Sequence, residues 1–359
     1  MIKRRLSWAD SLKGIAICMI VMIHANGAAV ESAWRHFAQS GWSGVQIFFI
    51  LSAFFTMTEL KKQEVQDKDF LVGKWLVRRM LKLVPMYYFA LLVGILFYRG
   101  QNVWLGSSMK LTFTNLLFHL LFLHTLIPYY SNSILWVEWY LGDFFLFSAF
   151  TCMIYKRVKS LKKSLLLVGI SIPISLVVTN ALCMVSPLPK ADAYVWNGYV
   201  GTYSPIKQFP AWTLGFLLFF LMQNKKLCAI MEKSKKLRIA LLIGALLAIA
   251  TLIGINSDNT ILFAFSYMIL AYIISHFNIP IFDNTVWQYI GQKSYGIYLY
   301  HFFIILLIEK IHIFKNTTNF FLWLVKYVLV LILALLFTAM WERIAKKIKQ
   351  TVCCRRTER

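Results

Sequence analysis

The sequence predicts an all-α protein whose helices form a polytopic transmembrane bundle. Of its 359 residues, 59% are hydrophobic and 16% aromatic, while only 15% are charged. The apolar residues form long runs that are separated by short basic segments, and no long polar linker interrupts them. Soluble globular proteins carry more charge and less apolar surface. We therefore expect lipid to be the solvent for most of this chain.

The apolar runs define about ten membrane spans, because each is long enough to cross a hydrocarbon core of ~30 Å. They lie at about residues 11–28, 44–60, 84–98, 135–155, 165–186, 208–222, 239–255, 260–277, 294–312 and 320–341. An eleventh run, 113–128, contains Asn115, His119, His124 and Pro128. We predict that it is an interfacial or re-entrant segment on the outer side. The alternative is an ordinary span with buried polar residues.

The distribution of charge supports this topology. The formal net charge is +23, and the Lys and Arg residues cluster in the connections 61–82, 156–163 and 225–238 and in the tail 343–359. Short basic loops stay on the cytoplasmic side of a membrane. All four clusters lie on that side only if 113–128 does not cross the membrane. The sequence thus predicts a membrane domain at 1–342, a basic cytoplasmic tail at 343–359 and two cytoplasmic termini. Membrane lipids rather than nucleic acid are the expected partners of this charge.

The first apolar run carries three ionisable side chains. Lys13 and His24 are eleven residues apart, almost three helical turns, so a helix places them on one face ~16 Å apart along its axis. Asp10 lies one turn before Lys13 on nearly the same face. Ionisable groups inside a span normally face a bundle interior or a water-filled cavity, which favours a functional role. Alternatively, Asp10 and Lys13 snorkel to the headgroups and leave His24 as a lone core histidine.

Other chemistry-bearing residues give weaker signals. The six cysteines and seven histidines show no metal-ligand spacing, so we expect no catalytic metal. Ser52 would be a nucleophile only if a base lay beside it, and a serine that packs between helices is the alternative. His301 and Tyr298 either line a substrate cavity or form a core histidine within an aromatic belt.

Five segments, in order along the chain, resemble the membrane acyltransferases called the acyltransferase 3 family. The first is the Asp10, Lys13 and His24 segment, which resembles a family pattern with an Arg, ten residues and a His. The other four are GVQIFFILSAFF (44–55), KWLVRRMLKLVPMYY (74–88), QFPAWTLGFLLFF (208–220) and IGQKSYGIYLYH (290–301). Residues 112–147, which include WYLGDFFLF, resemble the branch that modifies polysaccharides. The chain departs from the family pattern at Lys13, which replaces Arg, and at Ala53, which replaces Gly.

The resemblance implies an O-acetyltransferase of a bacterial inner membrane. Its donor would be cytosolic acetyl-CoA or another acyl-CoA, with no permanently bound cofactor, and its acceptor would be a hydroxyl of a cell-surface or lipid-linked glycan. His24 would be the general base or a transient acyl carrier, since imidazole titrates near neutral pH. Asp10 and Lys13 would orient or stabilise it. Ser52, Trp139, Tyr298 and His301 are candidates for the substrate cavity.

A second set of residues would bind the anionic donor. Lys74, Arg78, Arg79 and Lys82 lie in the basic connection that faces the cytoplasm, and coenzyme A carries several phosphate charges. The alternative for these cations is anchoring by the positive-inside bias alone.

Two rival functions remain open from the sequence. A glycan or lipid transporter also lines its pathway with polar groups, although we find no matched pair of broken helices in the two halves. A catalytically impaired relative, kept as a binding subunit, is suggested by Lys13, because lysine lacks the planar donor fork of arginine.

Overall fold

The computed structural model describes residues 6–26, 34–66, 72–103, 110–277, 279–315 and 317–357. In these ranges the chain is helical and has no strand, which confirms the predicted all-α polytopic helix bundle. The helices are, in chain order, α1 (Ser7–His24), α2 (Arg35–Gln39), α3 (Gly44–Gln66), α4 (Val72–Phe97), α5 (Phe113–Leu120), α6 (Trp139–Ile154), α7 (Leu161–Met184), α8 (Ala193–Gly198), α9 (Pro205–Gln223), α10 (Lys225–Lys233), α11 (Lys235–Gly254), α12 (Thr260–His276), α13 (Thr285–Ile308) and α14 (Phe320–Thr357).

Seven helical segments of the described chain are long and apolar enough to cross a membrane. They are Ser7–His24, Arg35–Gln66, Val72–Phe97, Leu161–Met184, Ala193–Gln223, Lys235–Gly254 and Phe320–Lys347, and α6 and α12 are shorter apolar helices. Helix α13 is long enough, but Gln288, Gln292 and Lys293 make its N-terminal half polar. Each of the ten predicted runs overlaps one of these helices. The number of helices that cross the membrane stays a prediction.

The segment 113–128 does not form a long helix. Its helix α5 has eight residues, which corresponds to a length of ~12 Å, well short of a ~30 Å hydrocarbon core. The chain then turns at Phe122, whose φ is 58°, into a short 3₁₀-helix at His124–Leu126. This geometry agrees with a segment that does not cross, and its depth at the outer surface stays a prediction.

The chain forms two compact units, which we describe separately. Unit 1 comprises Met1–Trp42 and Asn284–Arg359, and unit 2 comprises Ser43–Asp283. In unit 1, α13 packs against both α1 and α14; in unit 2, α9 packs against α3, α7 and α12. The tail predicted from residue 343 continues α14 without a break as far as Thr357. The domain boundary at 342 therefore stays a prediction.

Two glycines allow α1 and α13 of unit 1 to approach closely. A Cβ atom at Gly291 would collide with the main-chain carbonyl of Asp10, and one at Gly14 would collide with the carbonyl of Trp287. Because main-chain atoms cannot rotate away as a side chain can, both positions require glycine. The contact fixes the N-terminal half of α1, where Asp10 and Lys13 lie.

We expect Gly291→Ala to lower the free energy of unfolding by about 1–3 kcal/mol, the usual cost of overpacking. At Gly244 in α11, a Cβ atom would meet open space, with no other atom within 4 Å, so Gly244→Ala should be neutral or slightly stabilising. Thermal unfolding of the purified protein in detergent measures both changes. Equal stability of the two variants would contradict the close packing of α1 on α13.

Candidate active site

The polar face of α1 begins with an ion pair. Lys13 Nζ lies 3.3 Å from Asp10 Oδ1, one helical turn away. The side chain of Asp10 is 11% exposed and that of Lys13 is 26% exposed. A buried carboxylate is costly unless it is paired, so Lys13 compensates the charge that α1 carries into the protein.

At the other end of α1, His24 contacts a second histidine in unit 1. His24 Nδ1 lies 2.8 Å from His301 Nε2, a hydrogen-bond distance. The ring centroids are 5.0 Å apart and the ring planes differ by 17°. This separation equals the N–N distance plus the two ring radii, so the rings meet edge to edge and are nearly coplanar. This geometry directs an N–H of one ring at the nitrogen lone pair of the other and so allows a direct N–H···N hydrogen bond.

His301 is held by its own helix. It is fully buried, and its Nδ1 lies 2.8 Å from the carbonyl oxygen of Tyr298 and 3.2 Å from that of Ile297. Tyr298, the other cavity candidate of α13, is also buried, and its ring lies 6.1 Å from that of His301. The structure thus brings His301 into contact with His24 and places Tyr298 beside His301.

A buried polar network organises the segment 113–138 of unit 2. Glu138 accepts hydrogen bonds from the main-chain N–H groups of Ile134 and Leu135, and its Oε1 lies 3.3 Å from His119 Nε2. The rings of His119 and His124 stack with centroids 4.3 Å apart. Burial, and then the neighbouring His119, hold the pKa of His124 well below its ordinary value of 6.5. These contacts hold His119 and His124 against the start of α6. The lowered pKa leaves His124 neutral.

The candidates Ser52 and Trp139 lie in unit 2 among aromatic side chains. Ser52 Oγ is 2.9 Å from Tyr140 Oη, and the ring of Trp139 packs 5.2 Å from that of Tyr203. No imidazole forms a hydrogen bond with Ser52 in the part of the chain that the structure describes. This placement favours the packing role of Ser52 over a nucleophilic one.

The four basic candidates on α4 do not share one environment. Lys74, Arg78 and Lys82 are exposed, while Arg79 is partly buried. Positive-inside anchoring accounts for exposed cations at the membrane surface without further argument. Arg79 therefore needs a separate explanation.

Arg79 is sandwiched between two aromatic rings. Its guanidinium carbon lies 5.0 Å from the ring centroid of Trp75, one turn earlier on α4, and 4.9 Å from that of Phe144. Its Nη1 is buried and has no hydrogen-bond partner among the described residues. Buried donors are nearly always paired, so this nitrogen is suited to bind an anionic oxygen of a ligand.

One buried ion pair was not anticipated from the sequence. Lys326 of α14 is fully buried, and its Nζ lies 2.6 Å from Glu309 Oε1 at the end of α13. Asn26, two residues after His24, donates to the same oxygen at 3.4 Å. The sequence did contain a signal, because Lys326 interrupts the apolar run 320–341. The pair ties the ends of three helices together near His24.

In the part of the chain that the structure describes, no three His, Cys, Asp or Glu side chains lie close enough together to hold one metal ion.

Comparison with known families adds one match over nearly the whole chain. A family model described as an acyltransferase domain matches residues 6–339. The matched range includes every site residue described above. No curated protein matches the chain.

Proposed function

The chain belongs to the acyltransferase 3 family and is an integral membrane acyltransferase, and from this premise we propose that it is an O-acetyltransferase. It would take an acetyl group from cytosolic acetyl-CoA and pass it to a hydroxyl of a cell-surface or lipid-linked glycan. The resemblance of 112–147 to polysaccharide-modifying relatives supports the glycan acceptor. The three basic connections and the basic tail support cytoplasmic termini and a donor that arrives from the cytoplasm, in a bacterial inner membrane.

The observation that carries this proposal is the pairing of His24 with His301 at the end of α1 that follows its long apolar stretch. Polar groups are expensive inside a membrane protein and are usually kept for function. Acyl transfer to a hydroxyl needs a base that also returns the proton, and imidazole is the side chain best suited to both steps at neutral pH.

The reaction balances with His24 alone as the proton carrier. His24 takes the proton of the acceptor hydroxyl while the hydroxyl oxygen attacks the thioester carbonyl carbon. The tetrahedral intermediate then expels the thiolate of coenzyme A, which takes the proton from His24. The products are the acetyl ester and free coenzyme A, and the histidine returns to its starting state. An acetyl-imidazole on His24 is the alternative route, which ping-pong kinetics would identify.

Lys13 and Asp10 have a different task from His24. Eleven residues of helix separate Lys13 from His24 by ~16 Å, so the two side chains do not reach one carbonyl group. We assign Lys13 to the extended body of coenzyme A, with Asp10 holding the lysine in place at 3.3 Å. Lysine binds phosphate as a point charge, so the replacement of arginine is compatible with this task.

Arg79 is the proposed anchor for the phosphate groups of the donor. Its unpaired, buried Nη1 and its aromatic sandwich support a specific anion contact. Lys74, Arg78 and Lys82 would add only a general positive field around it.

The proposal is tested with purified protein in nanodiscs and acetyl-CoA labelled in the acetyl group. We expect release of free coenzyme A and transfer of the label to saccharide lipids extracted from the host membrane. Mass spectrometry of surface glycans should show one added acetyl group only in cells that contain the protein. A transporter of other cargo would neither cleave acetyl-CoA nor be thermally stabilised by it. Identical glycans in both cell types, together with intact acetyl-CoA, would refute the proposal.

A further inference from the structure

We propose that His301 is a positioning residue that fixes the tautomer of His24, so that His24 Nε2 is the nitrogen that accepts the acceptor's proton. The inference rests on the proposed function for its catalytic consequence, but the hydrogen-bond pattern that supports it is independent of any substrate. The two histidines are 277 positions apart in the chain and meet through packing of α1 on α13.

The direction of the hydrogen bonds follows from the backbone of α13. His301 Nδ1 lies within 3.2 Å of the carbonyl oxygens of Ile297 and Tyr298. Carbonyl oxygens only accept hydrogen bonds. His301 Nδ1 therefore carries a hydrogen and donates it to the backbone.

The other nitrogen of His301 must then be an acceptor. A charged imidazole in this fully buried position, hydrogen-bonded to no carboxylate of the described residues, would be costly. His301 is accordingly neutral, and a neutral imidazole with a hydrogen on Nδ1 has a lone pair on Nε2. His24 Nδ1, 2.8 Å away, donates to that lone pair.

The remaining nitrogen of His24 is suited to be the base. With its hydrogen on Nδ1, neutral His24 has a lone pair on Nε2, and that atom has no hydrogen-bond partner among the described residues. The side chain of His24 is not completely buried. When Nε2 takes a proton, the bond from Nδ1–H to His301 becomes charge-assisted and stronger. His301 thus favours both the correct starting tautomer and the protonated intermediate.

The loss of kcat expected on removal of His301 is limited, because His301 carries no charge. In serine proteases, loss of the carboxylate that fixes the tautomer of the catalytic histidine costs about 10⁴-fold in kcat. A neutral imidazole orients the ring in the same way but gives less stabilisation to the imidazolium. We therefore expect His301→Ala to lower kcat by about 10- to 100-fold, with KM for acetyl-CoA within about two-fold of the natural value.

A conservative variant separates positioning from packing. The carbonyl oxygen of glutamine can accept the hydrogen of His24 Nδ1, so His301→Gln should recover most of the activity that His301→Ala loses. His301→Leu fills the space but offers no acceptor, and it should be as impaired as His301→Ala. His312→Ala, at an exposed histidine outside the site, is the matched control and should leave kcat unchanged. Equal activity of the Gln and Leu variants would overturn the proposal.

Solid-state NMR of the ¹⁵N-histidine-labelled protein gives a readout that does not need turnover. The signals of His24, assigned by their loss in His24→Gln, should show a protonated Nδ1 and an unprotonated Nε2. In His301→Leu, a substantial fraction of the His24 side chains should carry the hydrogen on Nε2 instead. A natural protein with the hydrogen on Nε2 of His24, or no change in His301→Leu, would overturn the inference. If the natural protein transfers no acetyl group, the proposed function fails, while the spectrum still decides the tautomer.

Discussion

His24→Gln is expected to lower kcat for acetyl transfer by about 10³-fold or more, while the protein stays folded in the membrane. Positioned general bases contribute about 10²–10⁴-fold to catalysis, and no second imidazole can replace His24, because His301 points its available nitrogen at His24 itself. Glutamine keeps most of the volume and the hydrogen-bond donor, so the change removes proton transfer with little loss of packing. Label transfer from acetyl-CoA in nanodiscs measures the effect.

The control for this prediction is His312→Ala, which removes an exposed imidazole from the same unit. It should retain full activity and the same thermal unfolding profile. Acetyl transfer by His24→Gln at more than about a tenth of the natural rate would refute the assignment of His24, since no catalytic base contributes so little.

Arg79→Gln is expected to lower kcat/KM for acetyl-CoA by about 10²–10³-fold, mainly through KM. Truncation of one partner of a buried charge pair costs about 2–5 kcal/mol, and the phosphate of bound donor would lose its contact inside an aromatic sandwich. Arg79→Lys should recover part of the loss, because it restores the charge but not the planar donor fork. Steady-state kinetics at varied acetyl-CoA concentration measures all three proteins.

Arg78 provides a matched control, since it is the adjacent residue, carries the same charge and is exposed. Arg78→Gln should change kcat/KM by less than about three-fold at physiological salt, where exposed charges are screened. If Arg78→Gln and Arg79→Gln lower kcat/KM by the same factor, a general positive field binds the donor, and the assignment of a specific role to Arg79 is wrong.

Much of the fold was predictable because the membrane imposes it. Apolar runs must be helical in lipid, and each predicted run overlaps a helix of the structure. The pairing of Asp10 with Lys13 was also predictable, because residues three apart on a helix are neighbours. Loop charge predicted that 113–128 does not cross the membrane, and the eight-residue α5 agrees with that prediction without testing the orientation.

The contacts between distant segments were not predictable from one sequence. Nothing in the local pattern links His24 to His301 or Ser52 to Tyr140, because these pairs form only when helices pack. The distinction between Arg78 and Arg79 was also not predictable. Residues three and four positions after Trp75 both lie on its face of α4, and only the packing in the structure leaves Arg78 exposed and Arg79 partly buried.

The buried Lys326 also constrains how the protein is made. A lysine inside an isolated apolar helix is costly on entry into the bilayer, by up to about 2.5–3.5 kcal/mol at the helix centre. Lys326, in the second turn of α14, instead meets Glu309 only 17 positions earlier in the chain. Helices α13 and α14 are thus suited to enter the lipid together as a hairpin, with the charges already neutralised. As this pair packs against α1, the turn after His24 gains its anchor through Asn26.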